Sequence, residues 1–185
     1  ARVHLIDENL SNPPAPFPFC MLLRKHLQGA RITDVSQKGS ERIIEVSLET
    51  LNELGFTVSK KLIFEIMGKH SNVILTDIAS GKIIDCIKHI SIDVNRVRQL
   101  LPGVVYQYPP AQDKLPFTEA GPDTVLPSEG KSIQRRIAGI SSAFADEMSC
   151  HANPGEFLKS VACKASSGNI SPIVYSGEKN LPKEF

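Results

Sequence analysis

The sequence has no tryptophan and only four cysteines, which lie far apart in the chain. Cys20, Cys86, Cys150 and Cys163 form no C-x-x-C pair and no Cys/His grouping at zinc-ligand spacing. We therefore predict no metal site, no redox activity and no cofactor. We expect four buried, reduced thiols in preference to disulfides.

The sequence also has no apolar run of the roughly 18 residues that a membrane-spanning helix needs. No basic segment followed by an apolar one stands at the start, as it would in a secretion signal. These absences predict a cytoplasmic protein with no membrane partner. The first residues, ARVHLI, resemble the middle of a strand, so we expect the chain to be a fragment.

A strong net charge is missing as well, because 21 basic and 20 acidic residues leave a net charge of +1. Any anion-binding site must therefore come from local clustering of cations. Common catalytic motifs are absent, including G-x-S-x-G, H-E-x-x-H, the Walker A loop and G-x-G-x-x-G. We predict a binding protein and not an enzyme.

The pattern of apolar residues predicts a helix followed by a set of strands. After a proline-rich connector at residues 11–18, apolar residues from Phe19 to Leu27 recur at helical spacing, and Gly29 ends the helix. The period then changes to two. We predict strands near 31–37, 42–49, 60–67, 72–77 and 82–88, which implies an antiparallel sheet or sandwich.

The second part of the chain is predicted to be helical. Apolar residues recur at helical spacing from Ile133 to Met148, with a break at Gly139, and a further helix is predicted over 154–165. Residues 170–175 are predicted to form a strand.

The stretch around Gly139 fits a helix-hairpin-helix turn, whose backbone N–H groups suit a phosphate. Arg135 and Arg136 lie just before it. Ser141 replaces the second glycine of such a turn, and we expect it to cap the second helix. The alternative is an ordinary helix-turn-helix packing element.

Glu41 and Arg42 open a strand directly after a Gly-Ser turn. A guanidinium at this position suits a phosphate, and the adjacent carboxylate suits a base or ribose; the alternative is a surface ion pair. Lys69 and His70 would line the same edge if their turn lies beside it. Otherwise they are solvated residues of a turn in which Ser71 and Asn72 bond the backbone.

Arg96 and Arg98 are two residues apart. In an extended segment they would point the same way and form a phosphate clamp. A solvated loop is the alternative.

These segments together resemble the N-terminal region of the NFACT family. The resemblance rests on PFCMLLRKHLQGARI, GSERII, LIFEIMGKHSNVILTD, IKHIS and LLPGVVYQYPPAQDK, in that order, and continues more loosely through GISSAFADEM and ISPIVYSGEK. Members of the family include proteins called fibronectin-binding protein A and RqcH-like ribosome quality-control factors.

The resemblance implies an α+β fold. It consists of an antiparallel, β-sandwich-like domain related to the N-terminal domain of formamidopyrimidine-type DNA glycosylases, followed by a helical helix-hairpin-helix-like domain. We expect these domains to cover residues 1–116 and 117–168, with the start of a further segment at 169–185. The first domain would lack its opening strands.

The resemblance also implies a non-catalytic function. Such proteins bind the large ribosomal subunit that carries a stalled peptidyl-tRNA, and they recruit tRNA so that alanine is added to the nascent chain. The family's Asp-Arg motif, needed for the tRNA step, falls on Glu41 and Arg42. The expected RNA-binding residues are Glu41, Arg42, Lys69, His70, Arg96, Arg98, Arg135 and Arg136.

Two other functions compete with this one. A cell-surface adhesin that binds fibronectin is the alternative that the family label suggests. A DNA glycosylase is suggested by the related fold, but it would need an N-terminal Pro-Glu and a zinc finger, and this sequence contains neither at the required place.

Overall fold

The computed structural model describes residues 3, 7, 11–39, 41–123 and 130–169. The chain divides into two compact units, residues 1–111 and 112–185. The predicted boundary near residue 116 and the separate segment from 169 stay predictions. The strand predicted over 170–175 lies outside the described residues.

The first unit contains one helix and a five-stranded antiparallel sheet. Helix α1 spans Pro18–Leu27. The strands follow in the order β1-β2-β3-β4-β5, each paired with its neighbour in the chain. They are β1 (Arg31–Gln37), β2 (Ile43–Leu51), β3 (Thr57–Glu65), β4 (Asn72–Asp77) and β5 (Ile83–Cys86). The five predicted strands and their antiparallel arrangement are confirmed.

Local sequence explains where α1 begins and ends. Pro18 stands at its first turn, where the missing N–H costs no hydrogen bond. At the other end Gly29 has a φ of 74°, a conformation that other residues rarely adopt. The helix therefore turns directly into β1.

The core of this unit lies on one face of the sheet. Its buried members are Ile43, Ile63, Ile74, Ile83, Cys86 and Leu100. The same alternation that buries Ile43 and Ile63 also buries Glu45 and Glu65, two residues further along β2 and β3. The described residues show a single sheet here, and the sandwich-like arrangement and the glycosylase relationship stay predictions.

The second unit is mostly helical. Its elements are β6 (Leu115–Pro116), α2 (Gly130–Arg136), β7 (Ile137–Ala138), α3 (Ser142–Ser149) and α4 (Pro154–Ser166). The short strands β6 and β7 pair in parallel. The predicted break at Gly139 is present but wider than expected, because β7 replaces the end of the first helix.

The core of the second unit consists of Ala120, Ile133, Ile137, Ala145, Met148 and Leu158. Helix α4 approaches the preceding loop closely at Gly155. A Cβ there would lie 2.6 Å from the carbonyl oxygen of Gly121 and 2.7 Å from Cα of Pro122. Only glycine permits this contact between backbones.

The prediction of four buried thiols is wrong in part. All four cysteines are free, but Cys86 alone is buried, Cys20 is half-buried, and Cys150 and Cys163 are exposed. Cys150 caps the end of α3, and Cys163 lies on α4 away from buried Leu158. Among the described residues, no helix is long and apolar enough to cross a membrane.

Candidate nucleic-acid interface

The antiparallel register brings two polar turns to one end of the sheet. Ile43, at the start of β2, pairs with Glu65 at the end of β3, and Glu65 pairs with Asn72 at the start of β4. The Ile66 N–H also donates to the carbonyl of Arg42 at 2.8 Å. The turn at residues 38–41 and the turn at Gly68–His70 are therefore neighbours, as the prediction for Lys69 and His70 required.

The first turn presents Glu41 and Arg42 to solvent. It is closed by the Glu41 N–H, which donates to the carbonyl of Lys38 at 2.9 Å, and by the Gln37 amide, which donates to the carbonyl of Glu41 at 2.8 Å. Both side chains are exposed. Within the described part of the chain, Glu41 and Arg42 form no ion pair with each other or with any other residue. The alternative of a surface ion pair is therefore not observed among the described residues.

In the second turn, the side chains of Ser71 and Asn72 make the hydrogen bonds to the backbone. The Ser71 hydroxyl donates to the carbonyl of Gly68 at 2.7 Å and accepts from the Met67 N–H at 3.0 Å. Asn72 bonds both backbone groups of Lys88, each at 2.9 Å. Lys69 and His70 are exposed. Their side chains are not needed for the hairpin.

Two lysines that sequence reasoning missed join this end of the sheet. Lys88 Nζ donates to the carbonyl of Lys69 at 2.9 Å. Lys38 Nζ lies 3.8 Å from the ring centroid of Tyr108, a cation–π contact. Lys38 borders the Gly-Ser turn in sequence, and that position is the signal that would have found it. We call Lys38, Glu41, Arg42, Lys69, His70 and Lys88 the cationic end.

A buried carboxylate supports the cationic end from below. Glu45 accepts from Lys61 Nζ at 2.6 Å and from the Tyr108 hydroxyl. Burial disfavours the charged form of Glu45, but the hydrogen bonds from Lys61 and Tyr108 outweigh it and lower the pKa of this carboxyl. Tyr108 is thereby fixed beneath Lys38.

Arg98 is part of the interior, unlike Arg96. Its guanidinium donates to both carboxylate oxygens of Glu65, at 2.7 and 2.8 Å, and its side chain is 10% exposed. The Tyr106 hydroxyl also donates to Glu65, at 2.8 Å. Burial lowers the pKa of Arg98, but the hydrogen bonds and charge of Glu65 raise it by more. The net effect is a raised pKa, so the guanidinium stays charged.

The clamp predicted for Arg96 and Arg98 needed both side chains on one side of an extended segment, but residues 96 and 97 form a bend and Glu65 holds Arg98 in the interior. Residues 92–94 form a turn, in which Val94 and Asn95 donate to the carbonyl of Ser91 at 3.1 and 3.0 Å. Arg96 is exposed while Arg98 bonds Glu65. Contact of either residue with RNA stays a prediction.

In the second unit, Arg135 and Arg136 lie exposed in the last turn of α2. Gly139 follows with a φ of 85°. Ser141 caps α3, since its hydroxyl accepts from the Phe144 N–H at 3.1 Å. The predicted cap is confirmed. The assignment as a helix-hairpin-helix and the phosphate contact stay predictions.

One group of metal-ligand residue types lies in the first unit. The ligand atoms of Asp85, Cys86 and His89 lie within 4.8 Å of one another. His89 and the Cys86 N–H already bond one oxygen of Asp85, at 2.6 and 2.8 Å. Burial, followed by the charge of Asp85, raises the pKa of the Cys86 thiol to about 11, and the thiol faces the carbonyls of Lys88 and Leu100. This arrangement favours a hydrogen-bonded thiol over a metal-binding thiolate.

The sequence of the chain matches one protein family over most of its length. The family described as NFACT N-terminal and middle domains matches residues 1–171. The chain belongs to the NFACT family. The resemblance inferred from the sequence is confirmed.

Curated relatives of this NFACT chain carry the name Rqc2 homolog RqcH. The Bacillus subtilis protein is 44% identical over 154 residues, which cover 80% of this chain and 27% of the relative. The Streptococcus pneumoniae protein is 45% identical over 118 residues, covering 63% of this chain and 21% of the relative. The NFACT chain thus spans about a quarter of the length of these relatives.

Solved structures with the same fold have different names. The N-terminal part of the fibronectin/fibrinogen-binding protein from Streptococcus suis has a TM-score of 0.76 at 30% identity, over 98% of this NFACT chain and 72% of that chain. The fibrinogen-binding protein from Staphylococcus aureus has a TM-score of 0.70 at 28% identity, over 91% and 64%.

Proposed function

We propose that this NFACT chain is an RNA- and ribosome-binding module of a ribosome-associated quality-control factor, and that it is not an enzyme. In this function the protein binds stalled large ribosomal subunits and recruits tRNA for the addition of alanine. The observation that carries the proposal is that Glu41 and Arg42 are exposed beside Lys69 and His70 and have no ion-pair partner among the residues that the structure describes. The relatives named RqcH support it.

The chemistry of the cationic end suits an RNA backbone. A guanidinium donates two parallel hydrogen bonds to a phosphate, and a nearby carboxylate accepts from a ribose hydroxyl. Arg42 supplies the first group and Glu41 the second. Lys38, Lys69 and Lys88 add point charges around them. Because the net charge of the chain is only +1, the attraction for a polyanion comes from local clusters of cations such as this one.

The test is binding of the complete protein that carries this chain to free tRNA and to large subunits with peptidyl-tRNA, over a range of salt. Arg42→Ala should weaken tRNA binding and lower the slope of log affinity against log salt by about one unit. Binding to the subunit should persist through its other contacts.

The matched control is Arg31→Ala. Arg31 is exposed too, but it lies at the start of β1, pairs with Glu49 near the end of β2, and so occupies the other end of the sheet. Its removal should leave the salt slope unchanged. Equal slopes for wild type and Arg42→Ala would count against the proposal.

Fibronectin binding is the second candidate, favoured by the description of the Streptococcus suis structure. The described sheet has a free edge at β1, where Ile32 and Val35 are each 61% exposed. A partner strand can add to such an edge. Saturable binding of fibronectin by a protein that binds neither tRNA nor subunits would favour this candidate over the first.

A further inference from the structure

A second group of cations lies at the end of the sheet opposite to Arg42. Here β2 ends at Leu51, and a turn leads to β3. A cleft of about 370 Å³ is lined by Lys25 and His26 of α1, by Lys60 of β3, and by turn residues 51–54. We call it the basic cleft.

Lys60 is the unusual member of the basic cleft. It stands in β3 between β2 and β4 and is only 9% exposed. Its neighbour across the sheet, Asp77, instead accepts from the N–H and hydroxyl of Ser80, at 2.8 and 2.6 Å. Among the described residues, Lys60 has no hydrogen-bond or ion-pair partner for its ammonium group. The ammonium nitrogen itself reaches solvent, because no buried side-chain nitrogen of the described residues lacks a hydrogen-bond partner. It is therefore available to an anion in the basic cleft.

The turn beside Lys60 leaves a further donor available. The side-chain oxygen of Asn52 accepts from the N–H groups of Leu54 and Phe56, at 3.0 and 2.9 Å. The amide NH₂ of Asn52 has no assigned acceptor in the described residues. Asn52 lines the basic cleft together with the lysines.

His26 reports the electrostatic potential in the basic cleft. Burial lowers the pKa of this imidazole, and the charges of Lys60 and Lys25 lower it further. Glu53 opposes them, but with a smaller effect. The charges of Lys60 and Lys25 therefore place the ring in a positive potential, which disfavours its own cationic form and favours a nearby anion.

We propose that the basic cleft is a phosphate-binding site. Its donors come from three separate elements, α1, the 51–54 turn and β3, and they surround an open volume instead of lining one flat surface. Donors placed on several sides suit the three outer oxygens of a phosphate. The site stands on its own geometry and does not rest on the proposed function. A small phosphate and the backbone of RNA share this chemistry.

The first experiment is a titration of the chain with inorganic phosphate. Calorimetry measures the binding, and NMR of the His26 ring measures the pKa of the imidazole. Saturable binding is expected, and it should raise the pKa of His26, because the anion compensates the charges of Lys25 and Lys60. Two carboxylates lie close to the cations of the basic cleft: Glu53 acts on His26, and Asp77 interacts with Lys60. An absence of saturable binding, or a His26 pKa that phosphate leaves unchanged, would overturn the proposal.

Variants then test the named donors. Lys60→Met should weaken phosphate binding by about tenfold or more, since a charge-assisted hydrogen bond is lost. Lys25→Gln, at an exposed position that folding tolerates, should also weaken it, and Glu53→Gln should tighten it. The control is Lys82→Met, an exposed lysine that directly precedes β5 and lies outside the basic cleft. Equal affinities for Lys25→Gln, Glu53→Gln and the control would contradict the assignment.

Two further ligands, a short single-stranded RNA and adenosine monophosphate, show whether the basic cleft binds the RNA backbone or a small phosphate. If Lys60→Met and Lys25→Gln weaken binding of a short single-stranded RNA, the site takes the RNA backbone. If they weaken adenosine monophosphate and inorganic phosphate but leave RNA affinity unchanged, the ligand is a small phosphate.

Discussion

Glu65 is the residue whose environment sequence reasoning could not predict. It is 1% exposed, at a core position of β3. Its partners, Arg98 and Tyr106, lie 33 and 41 residues further along the chain. A carboxylate at such a depth is stable only with a paired cation and further hydrogen bonds. Nothing in the local pattern of β3 indicates which cation that is.

This pairing predicts different costs for two neighbouring arginines. Arg98→Ala should destabilise the first unit by about 3–5 kcal/mol, because it leaves Glu65 buried and unpaired. Arg96→Ala, at an exposed position two residues away, should change stability by less than about 0.5 kcal/mol. Urea unfolding of both variants measures the difference, and equal midpoints would show that Arg98 has no structural role.

The two tyrosines predict a loss of stability at alkaline pH. Burial, followed by the hydrogen bond to Glu45, raises the pKa of Tyr108 to about 12, and burial with the charge of Glu65 raises the pKa of Tyr106 as well. The folded state therefore holds these protons more tightly than the unfolded state does. The stabilisation is complete below the unfolded pKa of about 10 and is lost as pH rises beyond it.

Denaturant unfolding from pH 8 to pH 11 tests this dependence. Stability should fall above about pH 10, and Tyr106→Phe should make the decline shallower. A decline that is the same in wild type and Tyr106→Phe would exclude Tyr106 as its source.

Elements were predicted best where the signal is local. The five strands followed from period-two patterns and the turns between them, and Ser141 was identified as a cap from its place before an apolar helix. The pairing of β6 with β7 was missed, because each strand has two residues and its partner lies far away in the chain. The cationic end was predicted in part, since only the register of the sheet shows which turns meet.

The cap predicts a measurable effect at the scale of one helix. Ser141→Ala should destabilise the second unit by about 1 kcal/mol, because the N–H of Phe144 loses its acceptor. Ser142→Ala, one residue later within α3, is the matched control and should be nearly neutral. Hydrogen exchange of the α3 amides reports the change, and equal protection in both variants would show that the cap contributes nothing.

At the scale of the whole molecule, the balance of charge limits how RNA binding depends on salt. With a net charge of +1, the chain has no general attraction for RNA, so only contacts made by local clusters release counterions. The cationic end offers Lys38, Arg42, Lys69 and Lys88. Four contacts predict a slope of log affinity against log salt of about −3 for single-stranded RNA.

The basic cleft makes this slope depend on the length of the RNA. It lies at the far end of β2 from Arg42, and nine residues of strand separate the two ends by roughly 30 Å. An RNA that reaches both ends and contacts Lys25 and Lys60 should show a slope of about −4, and a shorter one about −3. Fluorescence anisotropy with RNAs of increasing length measures this step. The double variant Lys25→Gln with Lys60→Met should abolish the step without changing the slope of the short RNA. A step that persists in this double variant would mean that the additional contacts of the longer RNA lie outside the basic cleft.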